Sequence, residues 1–149
     1  MMRLDLENDE ATERLGQVLA VTRPNSAVVY LHGALGMGKS TLARAILRKL
    51  GVQGPIRSPS YTLLERYPLS EGEAWHLDLY RIADAGELDF LGLDEVAADL
   101  WLVEWPEHGE GFLPAADLRI SLSQSGTGRA AVLCADSEAG AEWLTKVSI

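Results

Sequence analysis

The order of hydrophobic and polar positions along the chain predicts alternating strands and helices. Residues 26–32 form a short apolar run rich in β-branched and aromatic side chains, which is typical of a buried strand. Residues 41–50 follow with Leu42, Ile46 and Leu50 on one face of a helix. A glycine-rich stretch separates the two segments, so the pattern predicts a strand, a loop and a helix in succession.

Further segments have the alternation or the apolar character of strands. They are the second half of 58–67, then 73–81, 100–106, 117–123 and 129–135. The last two flank a glycine-containing stretch and predict an antiparallel hairpin. Other helices are predicted from about residue 9 to 21, as the first element of the chain, and over 84–92, 93–98 and 137–147. Nothing in the last third indicates chemistry, so we expect it to serve as scaffold.

The stretch between the first predicted strand and its helix matches the P-loop pattern over residues 33–40. Glycines lack a Cβ, so the backbone can turn its N–H groups toward a phosphate at the positive end of the helix. Lys39 is expected to reach the β- and γ-phosphates, and Ser40 to bind Mg²⁺. A nucleoside triphosphate is therefore the predicted ligand. The residues predicted to bind it are Gly33, Leu35, Gly36, Met37, Gly38, Lys39, Ser40 and Thr41.

Two acidic residues lie where predicted strands run beside this loop. Glu104 ends the apolar run 100–104 in the manner of a Walker B strand, and Asp78 lies on the polar face of the segment 73–81. We predict that both are candidate catalytic and metal-binding carboxylates, beside Lys39. The alternatives are a solvated strand end for Glu104 and an ion pair with Arg81 for Asp78.

Two other positions are ambiguous from the sequence alone. The small polar loop over 58–62 is where P-loop NTPases commonly carry a hydroxyl that senses the γ-phosphate or its Mg²⁺, and Thr62 belongs to it. The alternative is a turn whose hydroxyls cap the local backbone. Trp105 can stack near the nucleotide or close the core, and we expect the core.

Composition limits the class of protein. The chain has 149 residues, 47% of them hydrophobic, which is enough for one globular domain. A formal net charge of −9 opposes direct binding of nucleic acid phosphates. No segment has the apolar length of a membrane span or the pattern of a signal peptide, so we expect a cytoplasmic protein. The single cysteine, Cys134, excludes an internal disulfide and is expected to be a small buried hydrophobe.

Taken in order, the motifs resemble the TsaE (YjeE) family of small bacterial P-loop ATPases. The resemblance covers nearly the whole chain and depends on the ordered set of motifs. The segments that carry it are 33–41, 58–63, 76–81, 87–92 and 103–106. The resemblance and the patterning together imply one P-loop NTPase-like α/β domain over 1–149. It would have a mixed, mostly parallel sheet, flanking helices and an antiparallel C-terminal hairpin.

The resemblance also implies a function. Family proteins take part in forming N6-threonylcarbamoyladenosine in tRNA, where they bind the TsaD–TsaB pair that transfers the threonylcarbamoyl group. Hydrolysis of ATP, with Mg²⁺, would reset that complex between turnovers, and tRNA would be reached only through it. Residue by residue, the resemblance implies Asp78 and Glu104 as the acidic pair at Mg²⁺, and Thr62 in a switch-like loop. Ala34 departs from the family pattern, which often has an acidic residue there.

Three other classes fit a P-loop protein of this size. A small-molecule kinase needs a lid that presents arginines, and no arginine-rich lid segment is visible. A GTPase needs an Asn-Lys-x-Asp motif, which neither Asn8 nor Asn25 begins. A nucleotide-sensing module would bind ATP tightly without useful turnover.

Overall fold

Four parallel strands form the centre of a seven-stranded sheet in the computed structural model, which describes residues 1–93 and 98–149. The strands are β1 (Met2–Leu6), β2 (Ala27–His32), β3 (Leu64–Pro68), β4 (Glu73–Asp78), β5 (Leu100–Glu104), β6 (Leu118–Ser125) and β7 (Gly128–Ala135). The α-helices are α1 (Asp9–Thr22), α2 (Lys39–Lys49) and α3 (Glu138–Lys146). Two 3₁₀ helices cover Ala85–Leu91 and Pro106–Gly109.

The order across the sheet is β1-β7-β6-β2-β5-β4-β3. β2 pairs in parallel with β5 and β6, and β5 pairs in parallel with β4. The outer pairings of β7 with β6 and β1, and of β3 with β4, are antiparallel. The predicted mixed sheet, parallel in its centre and extended by a C-terminal hairpin, is therefore confirmed. The carboxyl ends of β2, β4, β5 and β6 share one edge, where ligands bind in open α/β sheets.

Both faces of the sheet are covered, which explains why β5 reads as a continuous apolar run. Leu100 and Leu102 face a cluster built with the helices, whereas Trp101 and Val103 face a second cluster on the other side. α1 and α2 pack closely in the first cluster, because a Cβ at Gly16 would lie only 2.6 Å from the Cβ of Ala45. This packing holds the start of α1 beside the glycine-rich loop.

Four sequence expectations need correction or qualification. The first element is the strand β1, not α1, and it joins the sheet as an edge strand on β7. The predicted helix over 84–92 exists as a 3₁₀ helix, with the Asp84 side chain accepting from the Gly86 N–H at 2.9 Å. The helix predicted over 93–98 lies mostly outside the described residues. Cys134 is half-buried rather than buried, because it lies near the end of β7.

Most other element predictions are confirmed. α1 begins at Asp9 as expected, and α3 begins after Ser137, whose hydroxyl caps the helix by accepting from the Gly140 N–H at 3.0 Å. Within 1–93 and 98–149, no helix is long and apolar enough to cross a lipid bilayer.

Candidate nucleotide-binding site

The glycine-rich loop adopts the backbone conformation that its sequence predicts. Gly33, Gly36 and Gly38 have φ angles of 145°, 81° and 99°, which residues with a side chain rarely adopt. At Gly33 a side chain would also collide with the sheet, since a Cβ would lie 2.6 Å from the Leu122 carbonyl oxygen. α2 begins directly after Gly38, so its unpaired N–H groups and the positive end of its dipole point toward the loop.

Lys39 is held inside the loop. Its side chain is buried, its Nζ donates to the Gly33 carbonyl oxygen, and the same Nζ lies 3.9 Å from the centre of the Trp105 ring. Burial lowers the pKa of Lys39, and the nearby carboxylates of Glu104, Asp78 and Glu107 partly oppose this by favouring the charged form. A buried lysine held on a backbone carbonyl oxygen at the start of a helix is well suited to contacting an anionic ligand.

Sheet register brings the two predicted carboxylates together. Asp78 at the end of β4 is directly opposite Glu104 at the end of the parallel strand β5, and both are buried. The Ser40 hydroxyl, in the first turn of α2, donates toward the Glu104 carboxylate oxygens at 3.2 and 3.1 Å. The P-loop hydroxyl and the Walker B-like carboxylate are therefore in direct contact.

His76 contacts Glu104 from the neighbouring strand β4. Its Nε2 lies 2.7 Å from Glu104 Oε2, and both side chains are almost completely buried. Because a carboxylate only accepts hydrogen bonds, Nε2 is the donor in this contact. His76 Nδ1 is buried without a hydrogen-bond partner among the described residues. Among the described residues, the ring therefore has one side-chain hydrogen bond, to Glu104, which is also held by Ser40.

Ser60, not Thr62, presents the loop hydroxyl that faces this centre. Ser60 Oγ donates to Asp78 Oδ2 at 3.3 Å, and the other oxygen of Asp78 accepts from the Tyr80 N–H at 3.0 Å. Thr62 is exposed and donates to Glu65 Oε1 at 3.1 Å. The switch-like role of Thr62 stays a prediction, and in this conformation its hydroxyl is engaged elsewhere.

These groups open onto one cavity of about 250 Å³. The lining residues that were predicted from the sequence are Leu35, Gly36, Gly38, Lys39, Ser40, Thr41, Asp78 and Glu104. Of the remaining predicted residues, Gly33 reaches the site through its carbonyl oxygen, and Met37 packs against the main hydrophobic cluster. Four lining residues were not predicted as site residues: Asp9, Ser60, Trp105 and Arg129.

Two of these additions qualify expectations. Trp105 is half-buried and packs against the second hydrophobic cluster, as expected, but it also lines the cavity, where its ring lies 3.9 Å from Lys39 Nζ. Its φ is positive, at 57°. Such a φ is uncommon outside glycine, and it is found where a structure positions functional side chains. Arg129 shows that the C-terminal third is not scaffold only, since the start of β7 contributes a cation to the cavity. Stacking near the nucleotide was the alternative considered for Trp105, whereas no local pattern marked Arg129.

The oxygen atoms at this end of the cavity suit a hard divalent cation that is bound jointly by the protein and by the phosphates of a nucleotide. Ser40, Asp78 and Glu104 offer hydroxyl and carboxylate oxygens, the ligand type that Mg²⁺ prefers. In the described part of the chain, no three His, Cys, Asp or Glu side chains form a metal-binding group by themselves. Mg²⁺ is usually held by one or two carboxylates together with substrate phosphates, and this arrangement fits that mode.

These features define a P-loop protein with a candidate nucleotide-binding site. They are the central parallel sheet, the glycine-rich loop that leads into a helix, and the buried lysine. The comparisons with known proteins agree with this class. The family model described as "Threonylcarbamoyl adenosine biosynthesis protein TsaE" matches residues 6–131. The chain belongs to the TsaE family.

Relatives in several bacteria share most of the chain. A Haemophilus influenzae protein named "tRNA threonylcarbamoyladenosine biosynthesis protein TsaE" is 37% identical to this chain, over 86% of this chain and 83% of its own length. The Bacillus subtilis protein of that name is 32% identical over 80% of this chain and 75% of its own. The crystal structure of Bacillus subtilis YdiB superposes with a TM-score of 0.82 at 25% identity, covering 97% of this chain and 92% of that one.

Proposed function

We propose that this chain binds and hydrolyses ATP as an accessory subunit in N6-threonylcarbamoyladenosine modification of tRNA. In this proposal it acts in the cytoplasm on the TsaD–TsaB complex, and ATP hydrolysis resets that complex between turnovers. The observation that carries the hydrolytic part is the contact of Ser40 with Glu104, in register with Asp78 and beside Lys39. The names of the relatives support the pathway.

The residues divide the proposed chemistry among them. The loop N–H groups and Lys39 would hold the β- and γ-phosphates, and Thr41 would hold the phosphate nearer the nucleoside. Ser40 and one or both carboxylates, Asp78 and Glu104, would hold Mg²⁺, which supplies neutralisation of charge on the phosphate oxygens when bound. Glu104 also has the geometry of an acceptor that orients water, because Ser40 and His76 fix its carboxylate.

An acidic protein is suited to act on tRNA through a partner. A formal net charge of −9 disfavours direct contact with a phosphate backbone. Three large side chains at or next to cavity-lining residues are exposed, and a partner protein would cover them. Leu35 lines the cavity, Tyr61 follows Ser60, and the Tyr80 ring contacts Trp105.

The direct test is release of phosphate from ATP by the purified chain, alone and with a purified TsaD–TsaB pair and tRNA. We expect slow turnover alone and faster turnover with the partners. Lys39→Ala should lose ATP binding, whereas Lys146→Ala, which removes an exposed lysine on α3, should behave like the wild type. Undiminished ATP affinity in Lys39→Ala would refute the P-loop assignment.

The same assay separates the alternatives. Transfer of the γ-phosphate to an added small acceptor, without free phosphate, would instead indicate a kinase. Tight binding with no turnover under any condition would indicate a nucleotide-sensing module.

A further inference from the structure

Arg129 approaches the glycine loop from the opposite side to the carboxylates. We call Ser60, Asp78 and Glu104 the carboxylate end of the cavity, and Asp9 and Arg129 the arginine end. Arg129 NH1 lies 2.8 Å from Asp9 Oδ1 and 3.4 Å from the hydroxyl of the fully buried Thr12. The guanidinium therefore has a defined position, although it belongs to neither the P-loop nor the Walker B-like strand.

The sheet topology explains how the two ends are separated. The loop follows β2, and the carboxylates come from β5 and β4 on one side of that strand. β6 and β7 lie on the other side, and β7 runs antiparallel to β6, so its first residues return to the edge where β2 ends. Arg129 is the second residue of β7 and thus reaches the same cavity from the far side.

The guanidinium also rests on the junction of the loop and α2. A Cβ placed on Gly38 would lie 2.5 Å from Arg129 NH1, so there is no space for a side chain between them. The N-terminal end of a helix carries partial positive charge and disfavours a cation unless an anion is present. Asp9 supplies a carboxylate here, but its side chain is 66% exposed, so it is an exchangeable partner rather than a buried one.

The direction of the phosphate chain follows from the carboxylate end. In P-loop proteins the hydroxyl after the lysine binds the Mg²⁺ that bridges the β- and γ-phosphates. Ser40 contacts Glu104, so the β- and γ-phosphates belong near the carboxylate end. The α-phosphate and the nucleoside then extend toward the arginine end of the cavity.

We propose that Arg129 is a nucleotide-binding residue that contacts the α-phosphate end of the phosphate chain, and that Asp9 holds its guanidinium in place when that anion is absent. This inference depends on the proposed nucleotide function. A guanidinium has five N–H donors in a planar fork, so it can bind a phosphate oxygen pair and keep one contact to Thr12. Because the contact is at the α-phosphate, nucleoside diphosphates and triphosphates are recognised alike.

The test is calorimetric titration of ADP, and of ATP with Mg²⁺, into the wild type and the variant Arg129→Ala. We expect both affinities to fall by a similar factor, about tenfold to a hundredfold for loss of a charged hydrogen bond. In turnover assays the loss should appear mainly in affinity, so the KM for ATP should rise by a larger factor than kcat falls.

The matched control is Arg119→Ala. Arg119 lies in the same hairpin and also pairs with an aspartate, Asp136, at 2.5 Å, but it does not line the cavity. This variant should bind both nucleotides like the wild type. If both arginine variants lose affinity equally, the effect is one of net charge and the proposal is wrong.

Two further variants test the roles of the Arg129 guanidinium and of Asp9, and thermal unfolding checks that each variant is folded. Arg129→Lys keeps the charge but not the planar fork, so we expect an affinity between the wild type and Arg129→Ala. Asp9→Asn removes the competing anion and should leave nucleotide affinity equal or higher; a clear decrease would contradict the holding role of Asp9. The thermal unfolding of each variant, measured without nucleotide, identifies any that is misfolded.

The remaining outcomes also decide the question. Unchanged ADP and ATP affinity in Arg129→Ala overturns the proposal while leaving the proposed function standing. If Arg129→Ala loses affinity for ATP but not for ADP, and turnover falls strongly, Arg129 lies at the γ-phosphate. That result would overturn its assignment to the α-phosphate. Failure of the wild type to bind either nucleotide would refute the proposed function itself.

Discussion

The two ends of the cavity hold their charges in different ways. At the carboxylate end, Glu104 and His76 are 3% and 2% exposed and contact each other at 2.7 Å. At the arginine end, Arg129 is 23% exposed and its partner Asp9 is 66% exposed. Buried charged groups interact strongly and are costly to leave unpaired, whereas exposed pairs are weakened by water and salt. The first arrangement is suited to holding a reacting centre rigid, and the second to exchanging one anion for another.

The largest expected effect comes from removing the charge at the carboxylate end. Glu104→Gln keeps the size of the side chain and one acceptor oxygen but loses the negative charge, so we expect turnover to fall by on the order of 100-fold. Nucleotide affinity and thermal stability should change little. Phosphate release and calorimetric titration measure these quantities, with the exposed Glu110→Gln as the control. Turnover close to the wild-type value would mean that Glu104 has only a structural role.

Stability provides a second contrast. His76→Ala leaves the buried Glu104 carboxylate with Ser40 as its remaining side-chain donor, and we expect a loss of about 3 kcal/mol in the free energy of unfolding. The comparison is His32→Ala, because His32 is partly exposed and its contact to Glu107 is 3.4 Å long. That variant should lose less than about 1 kcal/mol. Urea denaturation measures both, and equal losses would show that burial of the His76–Glu104 pair has no special weight.

The metal requirement should distinguish the two ends most directly. Asp78→Asn should raise the Mg²⁺ concentration needed for half-maximal turnover by about tenfold or more, because it removes a carboxylate at the carboxylate end. Asp9→Asn should leave that concentration unchanged, since Asp9 lies at the other end. A titration of turnover with Mg²⁺ tests both variants. If both variants raise the Mg²⁺ concentration for half-maximal turnover equally, the two ends of the cavity do not differ in metal binding.

The smallest expected effect comes from an ion pair outside the cavity, between Arg66 and Glu73. Hydrogen bonds from Arg66, and to a lesser extent from Trp75, lower the pKa of the half-buried Glu73 carboxyl. A lowered pKa stabilises the fold above the unfolded value of about 4.3. This stabilisation is lost as the pH falls through the folded value. We expect Glu73→Gln to lower the Tm slightly at neutral pH and by less in acid, as measured by thermal scans. A difference that grows in acid would contradict this sign.

Sequence patterning was informative where the relevant neighbours are close in the chain. The glycine loop, Lys39 and Ser40 follow one another, so their function depends on local backbone geometry that short-range pattern captures. The alternation of β4 and the apolar run of β5 likewise indicated strands that end in carboxylates. β1 was missed although its residues alternate, because a short edge strand has only one neighbour and a weak apolar signal.

The sequence by itself therefore determined the kind of fold, the position of the phosphate-binding loop and the residue types of its chemistry. Only the tertiary structure decided which distant residues complete the cavity. Asp9 and Arg129 are separated by most of the chain, and they meet because β7 returns antiparallel beside β6 while α1 packs on α2. The contact of His76 with Glu104 depends on the register of two strands. Such contacts are set by long-range pairing and packing, which no local pattern of residues contains.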